Sequence, residues 1–194
     1  MKPFHTISVP HKDILEGRLT LDVFAANLWQ VSQGRGPEEY RDPETFFRKT
    51  HQTRGLKELI SDVERRLSGK GGEPVIHLQT PFGGGKTHSL IALYHKAADW
   101  GAKRVVICGE EIDPKKYTLW AIIERQLTGE IRRMADMTPP GAETLRELLE
   151  ENQPVVILVD ELLGYMIKAA GIPVGETTLK TQAVEFIHEL ANVV

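Results

Sequence analysis

Three glycines, a lysine and a threonine follow one another at residues 83–87 and form the strongest chemical pattern in the chain. Glycine permits a backbone with positive φ, in which successive N–H groups turn toward one point and no side chain keeps an anion away. The Lys86 ammonium can then contact phosphate oxygens, and the Thr87 hydroxyl can bind Mg²⁺. The pattern predicts a loop that binds the phosphates of a nucleotide together with magnesium.

The segments on both sides of this loop have the order that phosphate binding requires. Residues 74–78, Pro-Val-Ile-His-Leu, are short, apolar and rich in β-branched side chains, which predicts a buried strand. Apolar residues recur at helical spacing between Leu90 and Ala98, so we expect a helix whose first N–H groups and positive dipole end point at the loop. A glycine turn that binds nothing is the alternative.

One position departs from the usual pattern Gly-x-x-x-x-Gly-Lys-[Ser/Thr], because Thr80 stands in place of the first glycine. The entry to the loop must therefore be built differently. His88, directly after the threonine, could contact the nucleotide or could pack against a neighbouring helix. The residues predicted to bind the nucleotide are Pro81, Phe82, Gly83, Gly84, Gly85, Lys86, Thr87 and His88.

A second pattern, Asp160-Glu161, ends the continuous apolar run at residues 155–159. Such a run is typical of a central parallel strand, with its acids at the carboxyl edge where ligands bind. An aspartate there can hold Mg²⁺, and the next glutamate can polarise an attacking water. We predict that Thr87 and Asp160 bind the metal, that Glu161 is the general base, and that Lys86 acts on the transferred phosphate. A strand ending in two acids is common by chance and gains weight only from the loop upstream.

The composition limits the class of protein. The 194 residues suffice for one well-packed domain, and the net charge of −3 supplies no chain-wide basic field for gripping nucleic acid. The single cysteine, Cys108, excludes an intrachain disulfide and is expected to lie in the core of a strand. No run is long and apolar enough for a membrane span, and the N-terminus lacks the apolar core of a signal peptide. We therefore expect a cytoplasmic protein without a membrane partner.

The chain divides into a helical N-terminal prefix, residues 1–72, and an α/β core, residues 73–194, which we expect to form one compact unit. Helix starts are predicted at Thr20, at Asp42-Pro43 and at Thr53. In the core, residues 103–109 predict a second buried strand, and residues 113–134 predict a long helix. A short helix around residues 145–149 and a final one over residues 179–194 complete the pattern. The expected fold is a P-loop NTPase, with helices on both faces of a parallel sheet.

The order of these parts refines the class. The strand at residues 103–109 lies between the strand before the glycine-rich loop, the Walker A strand, and the strand that ends in Asp160, the Walker B strand. This order, with Glu161 directly after the Walker B aspartate, resembles the additional-strand, catalytic-glutamate division of P-loop proteins. That division includes AAA+ ATPases and helicases, whereas the guanine-reading motif Asn-Lys-x-Asp of GTPases does not occur in the chain. More narrowly, the chain resembles large prokaryotic AAA-type ATPases encoded beside DNA methyltransferases in restriction- or phage-defence-like loci. The resemblance rests on HTISVPHKDILEGRL (5–19), YRDPETFFRKTHQTRGLKELI (40–60), LQTPFGGGKTHSLIALYH (78–95) and VILVDELLGY (156–165).

This resemblance implies Mg²⁺-dependent binding of ATP and ADP, and hydrolysis that drives conformational work on a partner. Other subunits and a DNA-modifying complex or DNA itself are the implied partners. An AAA core also carries a central strand with a polar sensor, an arginine finger and a helical lid, which this chain lacks. We therefore expect an incomplete core, either part of a longer protein with weak hydrolysis on its own, or a sheet closed by direct pairing or subunit exchange. A nucleotide-gated scaffold with negligible turnover is the alternative, and a small-molecule kinase ranks lower.

Overall fold

The computed structural model describes residues 9, 15–17, 26–81 and 83–194. Its N-terminal part consists of helices, and the predicted start at Thr20 lies outside the described residues. The starts predicted at Asp42 and Thr53 are confirmed, because each side chain accepts a hydrogen bond from a backbone N–H of the first turn. These helices are α1 (Leu28–Ser32), α2 (Glu38–Arg41), α3 (Pro43–Lys49) and α4 (Arg54–Leu67).

The remainder of the chain alternates helices with two parallel strands, and a short antiparallel pair of strands precedes the last helix. The strands pair in register from Lys103 opposite Val155 to Cys108 opposite Asp160. Within the described ranges, no helix is both long and apolar enough to cross a membrane. The elements are α5 (Lys86–Asp99), β1 (Lys103–Cys108), α6 (Leu119–Thr128), α7 (Ala142–Glu150), β2 (Val155–Asp160), α8 (Leu162–Ala169), β3 (Pro173–Val174), β4 (Thr177–Thr178) and α9 (Leu179–Val193).

Helices cover both faces of the β1–β2 pair. Side chains alternate across a strand, so Val105 and Ile107 point to one face and Val106 to the other. The first face packs with buried residues of α6, α7, α8 and α9. The second face packs with α5 and with the N-terminal helices α1, α3 and α4. The α/β class and the parallel pairing predicted from the apolar runs are confirmed.

The prediction of a strand at residues 74–78 is wrong. This segment is irregular, and Val75 and Ile76 expose 52% and 41% of their surface. A strand exists only when a neighbour pairs with its N–H and C=O groups. Within the described residues, β1 and β2 pair with each other and neither pairs with this segment. The sheet is therefore not closed by direct pairing of residues 74–78 with β2.

Two helices differ from the sequence prediction. The long helix expected over residues 113–134 is confined to α6. It begins after Thr118, whose side chain accepts the N–H of Ala121, and it ends at Gly129, which adopts φ 89° and donates its N–H to the carbonyl of Arg125. Beyond it, the buried Glu124 carboxylate accepts the N–H groups of residues 132–134, each at 2.9 Å, so this backbone is satisfied without a helix. Helix α8 was not predicted, since it begins directly after β2 and contains Gly164.

Candidate functional site

The glycine-rich loop, residues 79–85, requires its three glycines for two steric reasons. Gly83 and Gly85 have φ of 75° and 77°, a region that L side chains rarely adopt. Gly84 has no room for a side chain, because an added Cβ would lie 2.5 Å from Thr80 Oγ1. The N–H of Gly84 donates to the carbonyl of Pro81 at 3.0 Å and closes the turn. Phe82, predicted to bind the nucleotide, lies outside the described residues.

Thr80, the residue in place of the usual first glycine, holds the loop lysine. Lys86 Nζ donates to the Thr80 carbonyl at 3.3 Å and contacts its hydroxyl at 3.4 Å. The ammonium group therefore lies over the loop, although Lys86 itself starts α5. The entry to the loop therefore differs from the usual one, because a threonine that contacts the lysine stands in place of the first glycine. Sequence reasoning noticed Thr80 but did not assign it a contact.

Thr87 connects the loop helix to the end of β2. Its hydroxyl donates to Asp160 Oδ2 at 2.8 Å, and both residues are half-buried. The other carboxylate oxygen, Oδ1, accepts the N–H of Glu161 at 3.1 Å. The structure thus brings together the two residues that the sequence predicts as metal ligands. A hydroxyl and a carboxylate are hard oxygen donors of the kind that Mg²⁺ prefers.

Glu161, the predicted general base, has an unusual backbone. Its φ of 49° is the one positive value among the non-glycine residues described, and its side chain is exposed. The Glu161 carbonyl accepts the N–H of Gly164 at 2.9 Å, which helps to hold this conformation at the start of α8. A non-glycine residue in this region is strained and is common at functional sites.

The end of β1 is tied closely to the end of β2. A Cβ added to Gly109 would lie 2.2 Å from the Glu161 carbonyl oxygen, so only glycine fits there. Lys168 of α8 donates to the carbonyls of Gly109, Glu110 and Ile112. The ammonium group thereby fixes the segment that leaves β1. Sequence reasoning missed Lys168, because its partners lie almost sixty positions earlier.

The Glu111 carboxylate at the same edge contacts the N-terminal helices. Asn27 Nδ2 donates to Glu111 Oε1 at 3.4 Å, and Asn27 also caps α1.

Cys108, the last residue of β1, is buried as expected for a core thiol. Burial, together with the nearby Asp160 carboxylate, raises the pKa of the Cys108 thiol, so the reactive thiolate is disfavoured.

The His88 ring lies against α3. Its Nε2 is 2.9 Å from the Thr50 hydroxyl, and its ring centroid lies 4.6 Å from that of Phe46. Burial lowers the pKa of His88, which favours the neutral imidazole. Of the two roles open for His88 on sequence grounds, packing against a neighbouring helix is the one these contacts describe. Its contact with a nucleotide stays a prediction.

The comparisons with known proteins identify a family. The family model described as the DUF499 N-terminal domain matches residues 3–123. The chain belongs to the DUF499 family. Searches among curated proteins and among solved structures returned no match.

The DUF499 match includes the glycine-rich loop and all of α5 and β1 but ends before β2. The loop side of the site, with Thr80, Lys86 and Thr87, therefore lies inside the matched region. The acidic side, with Asp160 and Glu161, lies beyond it. In this DUF499 chain the fold joins the two sides through the hydrogen bond between Thr87 and Asp160.

Proposed function

We propose that this DUF499 domain binds Mg-ATP as an AAA-type P-loop module. The complete protein hydrolyses ATP to drive conformational work on a partner. The observation that carries the proposal is the 2.8 Å hydrogen bond from the Thr87 hydroxyl to the Asp160 carboxylate. It joins a glycine-rich loop at a helix N-terminus to an acid at the end of a parallel strand. Both features are suited to a magnesium-bound polyphosphate.

The residues at this position fit such a ligand chemically. Two glycines with positive φ and the first turn of α5 offer backbone N–H groups to an anion. Lys86 adds a positive charge beside them, and the pair Thr87 and Asp160 offers oxygen donors for a divalent cation. Magnesium, when bound, neutralises phosphate charge. The proposed nucleotide is ATP, because the chain has no guanine-reading motif and resembles ATPases.

The protein side chains have separate roles in this proposal. Lys86 binds and orients the phosphates, and Thr87 with Asp160 holds the metal. Glu161 accepts the proton of the attacking water, because its exposed carboxylate directly follows the metal-binding aspartate. The αL backbone of Glu161 supports this role, since strained non-glycine residues of this kind cluster at active sites.

The proposed partner is a DNA-modifying complex, and this part rests on the resemblance to ATPases encoded beside DNA methyltransferases. The net charge of −3 favours contact with a protein subunit over direct, non-specific contact with DNA. Work on the partner and turnover belong to the whole protein.

Calorimetric titration of Mg-ATP and Mg-ADP into the domain tests the proposal. We expect the wild type to bind and Lys86→Ala to bind at least about tenfold more weakly, because a charge-assisted contact to phosphate is lost. The matched control is Lys57→Ala, which removes an exposed lysine from α4 and should leave affinity unchanged. Absence of binding by the wild type, or equal effects of the two variants, would contradict the proposal.

A further inference from the structure

His88 connects the start of the loop helix to the N-terminal helices. It directly follows Thr87, and its ring packs on Phe46 of α3 and lies edge-on to Tyr40 of α2 at 6.1 Å between centroids. Its Nε2 lies 2.9 Å from the hydroxyl of Thr50, the residue that ends α3. The contact is therefore a directional hydrogen bond within an apolar surrounding.

His95 repeats this arrangement two helical turns later. Seven residues separate the two histidines, which places them on the same face of α5. His95 Nε2 is 2.8 Å from the carbonyl oxygen of Tyr40, and its ring centroid lies 5.3 Å from that of Phe46. Phe46 is 1% exposed between them. Helices α2 and α3 thus rest along one face of α5, beginning at its first turn.

Three successive residues of that first turn reach three different parts of the molecule. Lys86 contacts Thr80 in the loop, Thr87 contacts Asp160 at the end of β2, and His88 contacts Thr50 after α3. Successive residues of a helix point about 100° apart, so the three contacts surround the turn. Rotation of the turn that breaks one contact would displace the other two. The orientation of Lys86 and Thr87 therefore depends on how α3 is docked.

We infer that the His88–Thr50 hydrogen bond positions the phosphate-binding turn, so that docking of α2 and α3 and ligand binding at the loop strengthen each other. The inference rests on the proposed function, because the ligand is the proposed Mg-nucleotide. Among the described residues, the side-chain hydrogen bond of Thr50 goes to His88 and to no residue of the loop, so Thr50 acts through His88. Thermodynamic linkage makes the coupling reciprocal, so the ligand must also stabilise the docked α3.

A threonine series tests the first direction of this coupling. Thr50→Val keeps the shape of the side chain and removes the hydroxyl, and we expect it to weaken Mg-ADP binding about five- to tenfold. Thr50→Ser keeps the hydroxyl and should restore the affinity. The matched control is Thr45→Val in the same helix, whose hydroxyl has local partners, Arg48 and the Asp42 carboxylate that caps α3, and it should bind as the wild type does. Denaturation midpoints of the variants separate loss of affinity from loss of folding.

Hydrogen exchange of the unsubstituted domain tests the second direction and needs no variant. Saturating Mg-ADP should slow exchange of the α3 amides and of the Thr50 amide, and should leave the C-terminal part of α9 unchanged. If the wild type binds Mg-ADP but Thr50→Val binds equally well, or α3 gains no protection, the inference fails and the proposed function stands. If the wild type does not bind Mg-ADP, both fail.

Discussion

At the scale of single residues, the candidate site depends on a backbone that is held in place by its neighbours. Glu161 adopts φ 49°, which costs about 1 kcal/mol or more for a non-glycine residue. The close approach of Gly109 to its carbonyl, and of Gly164 to Glu110, leaves this backbone little freedom to relax. The strain is therefore maintained by the packing of the segments that leave β1 and β2.

Gly109→Ala should destabilise the fold by about 1–3 kcal/mol, because its Cβ would overlap the Glu161 carbonyl and neither partner is a flexible side chain. The measurement is the free energy of unfolding in guanidinium chloride. Gly55→Ala is the matched control, since it lies in α4 with open space around it and should be neutral or slightly stabilising. Equal unfolding free energies for both variants would show that the segments that follow β1 and β2 are not tightly packed against each other.

Sequence reasoning reaches some residues of the site and misses others for a physical reason. The pairing of Thr87 with Asp160 follows from two local patterns whose chemistry is complementary. The partners of His88 and Lys168 carry no such pattern, because Thr50 and the carbonyls after β1 become neighbours only in the folded chain. A threonine hydroxyl or a backbone carbonyl looks the same in a sequence whether or not it has a distant partner.

At the scale of elements, a side chain of α6 makes the hydrogen bonds that a neighbouring strand would make at the outer edge of β1. The Gln126 amide of α6 accepts the Val106 N–H at 2.9 Å and donates to the Val106 carbonyl at 2.8 Å. Val106 is fully buried, so these two groups would otherwise lack water as a partner. The glutamine thus satisfies the middle of an edge that no strand occupies among the described residues.

Gln126→Met should lower the free energy of unfolding by about 1–3 kcal/mol, because it leaves the buried N–H and C=O of Val106 without partners while keeping the side-chain volume. The exposed Gln52→Met is the matched control and should change stability by no more than about 0.5 kcal/mol. Chemical denaturation of both variants makes the comparison. A loss no larger than that of the control would mean that Gln126 is dispensable for this edge.

The elements that were predicted correctly depend on local chemistry. The starts of α3 and α4 follow from Asp42 and Thr53, whose caps are made within one turn. Strands β1 and β2 follow from continuous apolar runs, which are typical of parallel strands covered by helices. Residues 74–78 are also mostly apolar and rich in β-branched side chains but have no pairing partner among the described residues, and composition alone cannot supply one. Pairing is a non-local property, which is why the prediction failed there.

At the scale of the whole molecule, the N-terminal helices and the α/β part share a buried cluster on one face of the sheet. Leu28, Val31, Phe46 and Leu56 come from the helices, and they pack with α5, β1 and β2. The predicted boundary at residue 72 therefore divides the sequence, but the hydrophobic core contains residues from both sides of it. Two histidines of α5 lie at this contact, and both have polar partners in the N-terminal helices.

Stability should fall as the pH decreases below about 6.5. Burial lowers the pKa of His88 and His95 from an ordinary value of 6.5, so the folded chain binds fewer protons than the unfolded one. The contribution of these histidines is complete above that value and is lost as the pH falls toward the folded pKa. Around His95, Asp42 and Asp99 oppose the shift and Arg104 adds to it.

The measurement is the free energy of unfolding between about pH 8 and about pH 5.5, a range in which most carboxylates remain ionised. A chain with both His88→Gln and His95→Gln should show a weaker pH dependence than the wild type. The control is His51→Gln, because His51 is exposed and outside this contact. An unchanged slope in the double variant would assign the pH dependence to other groups.

The bond between Thr87 and Asp160 also determines when the site can exist during synthesis. Its two residues are 73 positions apart, and Asp160 ends a strand that must first pair with β1 across the length of α6 and α7. Chains emerge from the ribosome N-terminal end first, and long-range parallel pairing forms slowly. A nascent chain that has reached α7 carries the complete glycine-rich loop and α5 but no acid to meet them. Acquisition of the Thr87–Asp160 contact is therefore a late event, and it reports that the sheet has formed.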